Sequence, residues 1–181
     1  MEKLLISACL AGEKVRYNGQ ALPISEPLEE QLSSYFELVR CCPEVASGMP
    51  IPRASAEIID GPASLVLEQK AKVKDNQGHD VTDAFVRGAN MALQLCLSNN
   101  IRFALLAEGS PSCGSFLVYD GTFSGVKMQG RGVTAELLTQ HGITVFNVNT
   151  IQEFIGSRCM PVVVNEIVAA HSVSKLITDN D

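Results

Sequence analysis

The chain has 181 residues, of which 46% are hydrophobic, and a formal net charge of −6. A chain of this length and apolar content can bury one sizeable core, so we expect one main domain. The acidic balance argues against a nucleic-acid polymer as the partner, because binding a phosphate backbone needs a basic surface. It favours a small-molecule ligand.

The cysteine content bears on the cellular compartment. Six cysteines are present, and Cys41 and Cys42 are adjacent. A chain this long without a recognisable secretory signal fits a reducing compartment better than a disulfide-bonded fold, so we predict free thiols and a cytoplasmic location. No apolar run reaches the roughly 18 to 20 residues that a membrane-spanning helix needs, so we predict no membrane partner.

The first predicted elements form a strand–helix–strand unit. Residues 4–8 are apolar and predict a buried strand, and the apolar spacing over 27–36 predicts a helix after it. A second strand at 37–41 ends where Pro43 follows Cys42, because proline cannot donate to a strand ladder.

The middle of the chain contains a predicted excursion beside the sheet and then a long helix. Prolines and glycines over 43–78, with the alternating pattern of 64–68, predict a loop and a small β-hairpin whose turn is 75–78. A helix over 83–98 follows, preceded by capping residues. Its predicted buried face consists of Phe85, Ala89, Ala92, Leu93 and Cys96.

The remaining core elements lie between residues 101 and 146. A third strand covers 101–107, and the turn 110–114 follows it. Polar residues and glycines over 116–127 predict a β-arm or a binding loop. A helix over 132–141, with Gly142 as its C-cap, and a fourth strand directly after this glycine, up to Phe146, complete the core.

The alternation of strands and helices predicts an α/β fold, Rossmann-like or flavodoxin-like, with an open, mostly parallel sheet flanked by helices and a small β-hairpin beside it. We expect this domain to span residues 1–150. Residues 151–181 predict a C-terminal helical extension that packs on the domain or serves an oligomer contact, with helical patterns at 150–155 and 161–177. We expect a monomer or a homodimer.

Three cysteines share a position relative to the predicted sheet. Cys9, Cys42 and Cys113 each follow a predicted strand and lie among prolines, glycines and serines. Ligands of open α/β sheets bind beyond the carboxyl ends of the strands, so we expect these thiols to converge there. Cys96 and Cys159 are interpreted as ordinary buried thiols, which behave as small hydrophobic groups.

A cluster of thiols indicates metal or sulfur chemistry, with zinc and iron–sulfur clusters as the alternatives. Structural zinc sites normally show paired C-x-x-C motifs, and the chain has none. Three ligands from three loops favour a cluster with one open iron.

Other polar residues near these cysteines are candidates for a reaction. Glu44 is a candidate general acid or base, or else a helix or loop cap. Ser110 and Ser112 are candidates for hydrogen bonds to cluster sulfurs or to substrate, or they only shape the turn. Arg16 and Arg53 are candidates for neutralising a thiolate-rich site.

Residues 130–135 fit the pattern G-x-G-x-x-A, in which amides at a helix start can hold an anion. The position late in the chain is unlike that of a dinucleotide site and favours a helix start directed at the same crevice. A nucleotide- or metal-binding module without enzymatic activity is therefore the alternative function.

Several short motifs occur in a fixed order along the chain. They are SACLAG (7–12), RYNG (16–19), CPE (42–44), PR (52–53), GHDVT (78–82), SPSCG (110–114) and YDGTFSG (119–125). Over about residues 3–148 this ordered set resembles the thiouracil desulfidase (TudS) family. The chain departs from the family pattern at Asn18, at 47–48 and at 55–57, which we expect at the rim of the pocket.

The resemblance implies a 4Fe-4S cluster held by Cys9, Cys42 and Cys113, with one iron open to the sulfur of a thiolated uracil of the 2-thiouracil or 4-thiouracil type. It implies hydrolytic release of uracil and sulfide without net redox change, with iron as a Lewis acid. Glu44 would activate water or shuttle protons, and Ser112 and Ser110 would orient the base. Iron–sulfur assembly machinery is the implied protein partner, and sulfur delivery from the same cluster is a second enzymatic interpretation.

Overall fold

A computed structural model describes residues 1–159. These residues form eight strands and six helices. In chain order they are β1 (Glu2–Ser7), α1 (Glu26–Tyr35), β2 (Phe36–Cys41), α2 (Pro43–Ala46), β3 (Ala56–Ile59), α3 (Ala63–Leu67), β4 (Lys72–Asp75), α4 (Thr82–Ser98), β5 (Phe103–Leu105), β6 (Leu117–Tyr119), β7 (Lys127–Gln129), α5 (Val133–Gln140), β8 (Thr144–Phe146) and α6 (Val148–Cys159).

The central sheet has four parallel strands in the order β2-β1-β5-β8. In the register of this sheet Leu4 lies opposite Leu38 on one side and Phe103 on the other. The chain moves from β1 outward to β2 and then returns to the other side of β1 for β5 and β8. The strand order therefore reverses between β1 and β5, which is where open α/β sheets form their ligand crevice. The predicted fold class is confirmed.

The core lies on both faces of this sheet. Leu4, Leu5 and Ile6 of β1 are all fully buried, because helices cover a parallel sheet on both sides and leave no solvent-facing positions. All five residues of the predicted buried face of α4 are buried. Burial of one such apolar stripe, rather than intrinsic helix propensity, supplies most of the stability of a helix in a protein.

The excursion between β2 and α4 contains a hairpin, but the predicted strand was wrong. Residues 64–68 lie mostly in helix α3, in which Ala63 and Val66 are buried at helical spacing. The hairpin pairs β3 with β4 on either side of this helix. The predicted turn at 75–78 exists, and it closes an isolated antiparallel bridge between Lys74 and Asp80 before α4 begins. A five-residue apolar alternation fits both element types, and here packing favoured the helix.

Two core strands are shorter than predicted, and the arm agrees with its prediction. The third and fourth strands cover Phe103–Leu105 and Thr144–Phe146, three residues each. The arm over 116–127 is the antiparallel pair of β6 and β7, joined by residues 120–126.

The chain divides into two units, Met1–Val148 and a second beginning at Asn149. Of the second unit the structure describes helix α6 up to Cys159, which includes the helical pattern predicted from residue 150 to 155. The pattern at 161–177 lies outside the described residues. Within residues 1–159 no helix is both long and apolar enough to cross a membrane.

Candidate active site

Three loops at the carboxyl edge of the sheet bring three cysteines to one cavity. Cys9 lies in the turn after β1, Cys42 is the N-cap residue of α2 directly after β2, and Cys113 lies in the turn region after β5. Because β2, β1 and β5 are neighbours in the sheet, the loops after them are adjacent. All three cysteines line a cavity of about 450 Å³, as the positions of the predicted strands indicated.

The three thiols influence one another. Burial raises the pKa of Cys9, and the neighbouring Cys42 raises it further. Burial also raises the pKa of Cys113, which Cys9 and Cys42 both raise in addition. These mutual effects mean that the three sulfurs are close together. Thiols in this setting favour the neutral form, so a bound cation is needed to hold all three as thiolates.

Two arginines partly oppose these effects. The pKa of Cys9 is raised by burial, and the guanidinium of Arg16 acts in the opposite direction. The pKa of Cys42 is likewise raised by burial, and Arg53 opposes the rise. Both arginines line the cavity, in keeping with their prediction as positive charges beside the thiols.

Ser7 supports the third thiol from the sheet and was missed in the sequence. Its Oγ accepts a hydrogen bond of 3.1 Å from the backbone N–H of Ala107. The pKa of Cys113, raised by burial, is partly lowered again by a hydrogen bond from Ser7. A buried serine at the end of an apolar strand, two residues before Cys9, was the available signal.

The two serines of the Cys113 turn have different positions. Ser110 lines the cavity, and its Oγ accepts hydrogen bonds from the backbone N–H groups of Ser112 and Cys113, both at 3.1 Å. Ser112 is fully buried, and its Oγ lies 2.8 Å from the Oγ1 of Thr134. Its side chain is not among those that line the cavity. Ser110 is therefore at the site, and Ser112 lies behind the loop.

The glycine-rich segment 130–135 holds this same turn. The first backbone N–H groups of α5 donate to carbonyl groups of the turn: Val133 to Pro111, and both Thr134 and Ala135 to Ser112. A Cβ atom at Gly132 would collide with the carbonyl group of Ser112. The amides that would hold an anion are thus bonded to the Cys113 turn. The segment acts as the base of that turn.

The Cys42 loop is held against α4 in a comparable way. A Cβ atom at Gly88 would collide with the carbonyl oxygen of Pro43, so only glycine permits this approach. From the same helix, Arg87 donates from Nη2 and Nε to the carbonyl oxygen of Ser47, at 3.0 and 3.3 Å. Helix α2 is consequently anchored at both ends.

Glu44 faces the cavity in an ion pair. Its Oε2 accepts a hydrogen bond of 2.6 Å from Nε of Arg53, and the side chains are 14% and 5% exposed. Arg53 also donates from Nη1 to the carbonyl oxygen of Val15 at 3.1 Å. The pair thus holds a carboxyl group at the thiol-lined cavity, and a carboxylate can accept a proton.

Two further carboxylates line the cavity but bind backbone. Oε2 of Glu57 accepts hydrogen bonds from the N–H groups of Gly121 and Phe123, at 2.9 and 3.1 Å, and so ties the arm loop to β3. Oε2 of Glu108 accepts from the N–H of Leu117 at 2.9 Å and so fixes the start of β6. Neither glutamate belongs to a recognisable motif, and the partners of Glu57 lie more than 60 residues away, so the sequence carries no signal for these contacts.

The expectation for the family departures was partly wrong. Residues 55–57 line the cavity, whereas Asn18, Ser47 and Gly48 do not. Asn18 instead bonds to Gln20 within its own turn, and Ser47 ends α2. Proximity in sequence to a site motif did not bring these residues to the rim.

The adjacent cysteines differ in their neighbours. The pKa of Cys41 is raised to about 11, first by burial and then by Cys42. The pKa of Cys96 is raised to about 12, first by burial and then by Cys41. Cys41 also lines the cavity, but it interacts with Cys42 and Cys96, whereas Cys42 interacts with Cys9 and Cys113 as well. Of the adjacent pair, Cys42 is the one grouped with the other two loop thiols.

The three thiols fit a cluster in which each ligand binds a different iron atom. Within residues 1–159, no group of three or more His, Cys, Asp or Glu side chains is close enough to hold a single metal ion. In a 4Fe-4S cluster each thiolate binds a different iron, so the ligands surround a volume and need not meet at one point. Three mutually close thiols around one cavity suit that geometry.

These observations define an α/β protein with a thiol-lined cavity at the switch point of an open parallel sheet. A family model described as 2-thiouracil desulfurase matches residues 4–150, and the chain belongs to this family. The resemblance drawn from the ordered motifs is thereby confirmed.

Two similar proteins extend over nearly the whole family region. The uncharacterized protein YbbK of Bacillus subtilis (strain 168) is 41% identical over 152 residues, which cover 84% of this chain and 99% of YbbK. The solved structure of the 4Fe-4S-dependent thiouracil desulfidase TudS matches with a TM-score of 0.77 and 44% identity. That match covers 88% of this chain and 99% of TudS.

Proposed function

We propose that this protein is an iron–sulfur desulfidase that converts a thiolated uracil, of the 2-thiouracil or 4-thiouracil type, into uracil and sulfide. The observation that carries the proposal is the convergence of Cys9, Cys42 and Cys113 on one cavity that Glu44 also lines. Family membership supports the substrate class, and the dependence of TudS on a 4Fe-4S cluster supports the cofactor.

The three cysteines are the proposed ligands, one from each loop. When bound, the cluster supplies an iron without a protein ligand, which can act as a Lewis acid toward a thiocarbonyl sulfur. Ser7 orients the Cys113 sulfur, and Arg16 offsets the negative charge of the thiolates near Cys9. Backbone contacts from α4 and α5 keep the loops apart at a fixed separation.

Glu44 is the proposed base. Its carboxylate takes a proton from the water that attacks the sulfur-bearing ring carbon, and it later returns a proton to the departing sulfur. The oxygen of water replaces sulfur on the carbon, and sulfur leaves as sulfide. The reaction is therefore hydrolytic and needs no external oxidant or reductant.

The serines have separate proposed roles. Ser110 lines the cavity, so its hydroxyl group is placed to donate to a ring oxygen or nitrogen of the base. Ser112 bonds to Thr134, and we assign it to positioning Cys113 instead of contacting the base.

The cellular context stays a prediction. A reducing cytoplasm suits the five cysteines described as free thiols within residues 1–159, and cluster delivery calls for iron–sulfur assembly machinery.

A monomer or homodimer, and a domain over residues 1–150 with a separate C-terminal extension, are likewise proposals.

The alternative of a nucleotide-binding module rested on residues 130–135. Their first amides bond to the Cys113 turn, so that motif supplies no anion site of its own here. The cysteines alone would still suit a metal-binding module, which the experiment below separates from an enzyme.

The test is cluster content followed by turnover. Protein purified and reconstituted without oxygen is expected to hold about four iron and four sulfide per chain, with broad brown absorption. Incubation with 2-thiouracil and 4-thiouracil is then expected to release uracil and sulfide in equal amounts. Iron-loaded protein that leaves both compounds unchanged would reject the enzymatic proposal, and one zinc without iron would favour the binding module.

A further inference from the structure

We infer that Arg53 is a positioning residue that fixes the orientation of the Glu44 carboxylate toward the cavity. The inference rests on the proposed function, since it concerns the base of that reaction. Its basis is the geometry of one buried ion pair and of the loops that the pair connects.

The Glu44–Arg53 pair differs from the other arginine–carboxylate pairs of residues 1–159. In those pairs the arginine side chain is 47% exposed or more, whereas the side chain of Arg53 is 5% exposed. Exposed pairs contribute little to stability, and a buried pair pays a desolvation penalty that its attraction often fails to recover. Stability alone is therefore a weak reason for burying charges beside the thiol-lined cavity.

Arg53 is itself held in place by several carbonyl groups. Its Nη1 donates to the carbonyl oxygen of Val15 at 3.1 Å and to that of Pro50 at 3.3 Å. Its backbone N–H donates to the carbonyl oxygen of Tyr17 at 2.8 Å. The guanidinium group is planar, so bonds at Nη1 also set the direction of Nε.

This arrangement leaves one carboxylate oxygen of Glu44 for chemistry. Oε2 accepts the hydrogen bond from Nε of Arg53 at 2.6 Å, so the carboxylate plane is fixed relative to the loop after β1. Oε1 is then the oxygen placed to meet a water molecule in the cavity. A base that is misdirected by about 1 Å can lose about 100-fold in rate, so such fixing has a kinetic value.

Two possible roles of Arg53, positioning Glu44 and neutralising the charge of the thiolates, can be distinguished by experiment. If Arg53 served mainly to stabilise thiolates, its removal would weaken cluster binding at Cys42. If Arg53 acts through Glu44, its removal leaves the cluster in place and matters only while Glu44 is present. The two roles predict different responses in cluster content and in double substitutions.

The experiment uses Arg53→Met, Glu44→Gln and the double variant in the full-length, cluster-loaded protein, assayed with thiouracil. We expect Arg53→Met to lower kcat about 10- to 100-fold, with KM changed less than about threefold and with iron content and visible absorption unchanged. We expect Glu44→Gln to lower kcat at least about 100-fold, and the double variant to be no slower than Glu44→Gln alone.

Arg87 offers a matched control. It is an arginine that binds the same helix α2 through the carbonyl oxygen of Ser47, and it does not line the cavity. Arg87→Met is expected to change kcat less than about threefold. An equal loss in Arg87→Met and Arg53→Met would mean that any loosening of α2 has this effect, and it would overturn the positioning role.

A second readout does not depend on activity. In cluster-free protein, urea midpoints of the two single variants and the double variant are expected to be non-additive, because each substitution breaks the same pair. If Arg53→Met fails to fold, Arg53→Lys serves in its place, because it keeps the charge but lacks the planar fork.

Three further results would overturn the inference. They are additive losses of kcat in the double variant, additive urea midpoints, and a fall in iron content that parallels the fall in kcat. Wild-type protein that is inactive on thiouracil would reject the proposed function together with this inference. Active wild-type protein with additive losses would reject this inference alone.

Discussion

A thiol binds metal only after it loses its proton, and the three loop thiols are placed where burial opposes that loss. The pKa values of Cys9, Cys42 and Cys113 are all raised, with burial as the largest cause. Cluster binding therefore has to supply the free energy of three deprotonations.

Replacing any one of the three loop cysteines with serine is expected to remove most of the iron and all measurable desulfuration, because the cluster loses one of its three proposed protein ligands. Cys41→Ser and Cys96→Ser are the matched controls, since the half-buried Cys41 and the buried Cys96 interact with each other and neither interacts with Cys9 or Cys113. They are expected to keep iron and activity. Iron and sulfide analysis of protein reconstituted without oxygen measures both.

The informative comparison is between the adjacent pair. Iron retained in Cys42→Ser but lost in Cys41→Ser would reverse the assignment of the second ligand. In the sequence these two residues could not be distinguished, because both lie at the end of one apolar run. The neighbours of each sulfur across the fold distinguish them.

At the scale of secondary-structure elements, two glycines allow helices to hold the site loops. Gly88 of α4 contacts Pro43 after Cys42, and Gly132 before α5 contacts the turn that carries Cys113. Neither position requires an unusual backbone angle, so the requirement is for space. Both helices thereby set the separation between two of the proposed ligands.

Gly88→Ala tests this requirement for space, because the change in stability expected here is opposite to the usual effect of replacing a helical glycine with alanine. In an exposed helix interior, replacing glycine with alanine gains about 1 kcal/mol, but here the new Cβ atom would strike the carbonyl oxygen of Pro43. We expect a lower urea midpoint and a lower iron content. Asn90→Ala, on the exposed side of the same helix, is expected to keep its iron content and to raise the urea midpoint slightly, because alanine has the higher helix propensity. A stabilised Gly88→Ala variant with full iron would contradict the close approach.

The start of α4 provides a pH-dependent prediction. The pKa of Asp80 is lowered, first by the hydrogen bond from Lys72 and then by those from Thr82. Because the folded pKa lies below the unfolded value near 3.9, the stabilisation is complete above that value and is lost as pH falls toward the folded pKa. From pH 7 to 5 we therefore expect Asp80→Asn to have a lower free energy of unfolding than wild type. The difference between the two free energies of unfolding should narrow below about pH 4.

Lys72→Met removes the positive charge that pairs with Asp80, since Nζ of Lys72 lies 2.7 Å from Oδ2 of Asp80. The difference in free energy of unfolding between this variant and wild type is expected to narrow in the same way as the pH falls. Urea unfolding at a series of pH values gives the comparison. A difference in free energy of unfolding that stays constant down to pH 3 would mean that the carboxylate charge of Asp80 does not contribute to stability.

At the scale of the whole molecule, the site is contained in the first unit. Among residues 1–159, every proposed ligand and every residue that lines the cavity precedes residue 130, and the family match ends at residue 150. A chain that lacks residues 160–181 is expected to bind the same amount of iron and to keep kcat within about twofold of wild type. Iron analysis and the thiouracil assay on the shortened chain test this, and loss of activity with a folded first unit would assign residues 160–181 a part in the reaction.

Prediction from the sequence succeeded where the signal was local. The buried face of α4, the four core strands and the arm depend on the spacing of apolar residues and on turn chemistry, which each segment carries by itself. It was wrong for residues 64–68, because a short apolar alternation suits a strand and a helix equally, and the hairpin partners lie outside it.

The sequence by itself determined the α/β class, the placement of three thiols at strand ends and the family, because apolar periodicity and ordered motifs are properties of the chain. Only the tertiary structure decided that Arg53 binds Glu44, that Ser112 lies behind its loop and that residues 130–135 support a turn. The physical reason is that a hydrogen bond or close approach depends on the distance in space between atoms that are far apart along the chain.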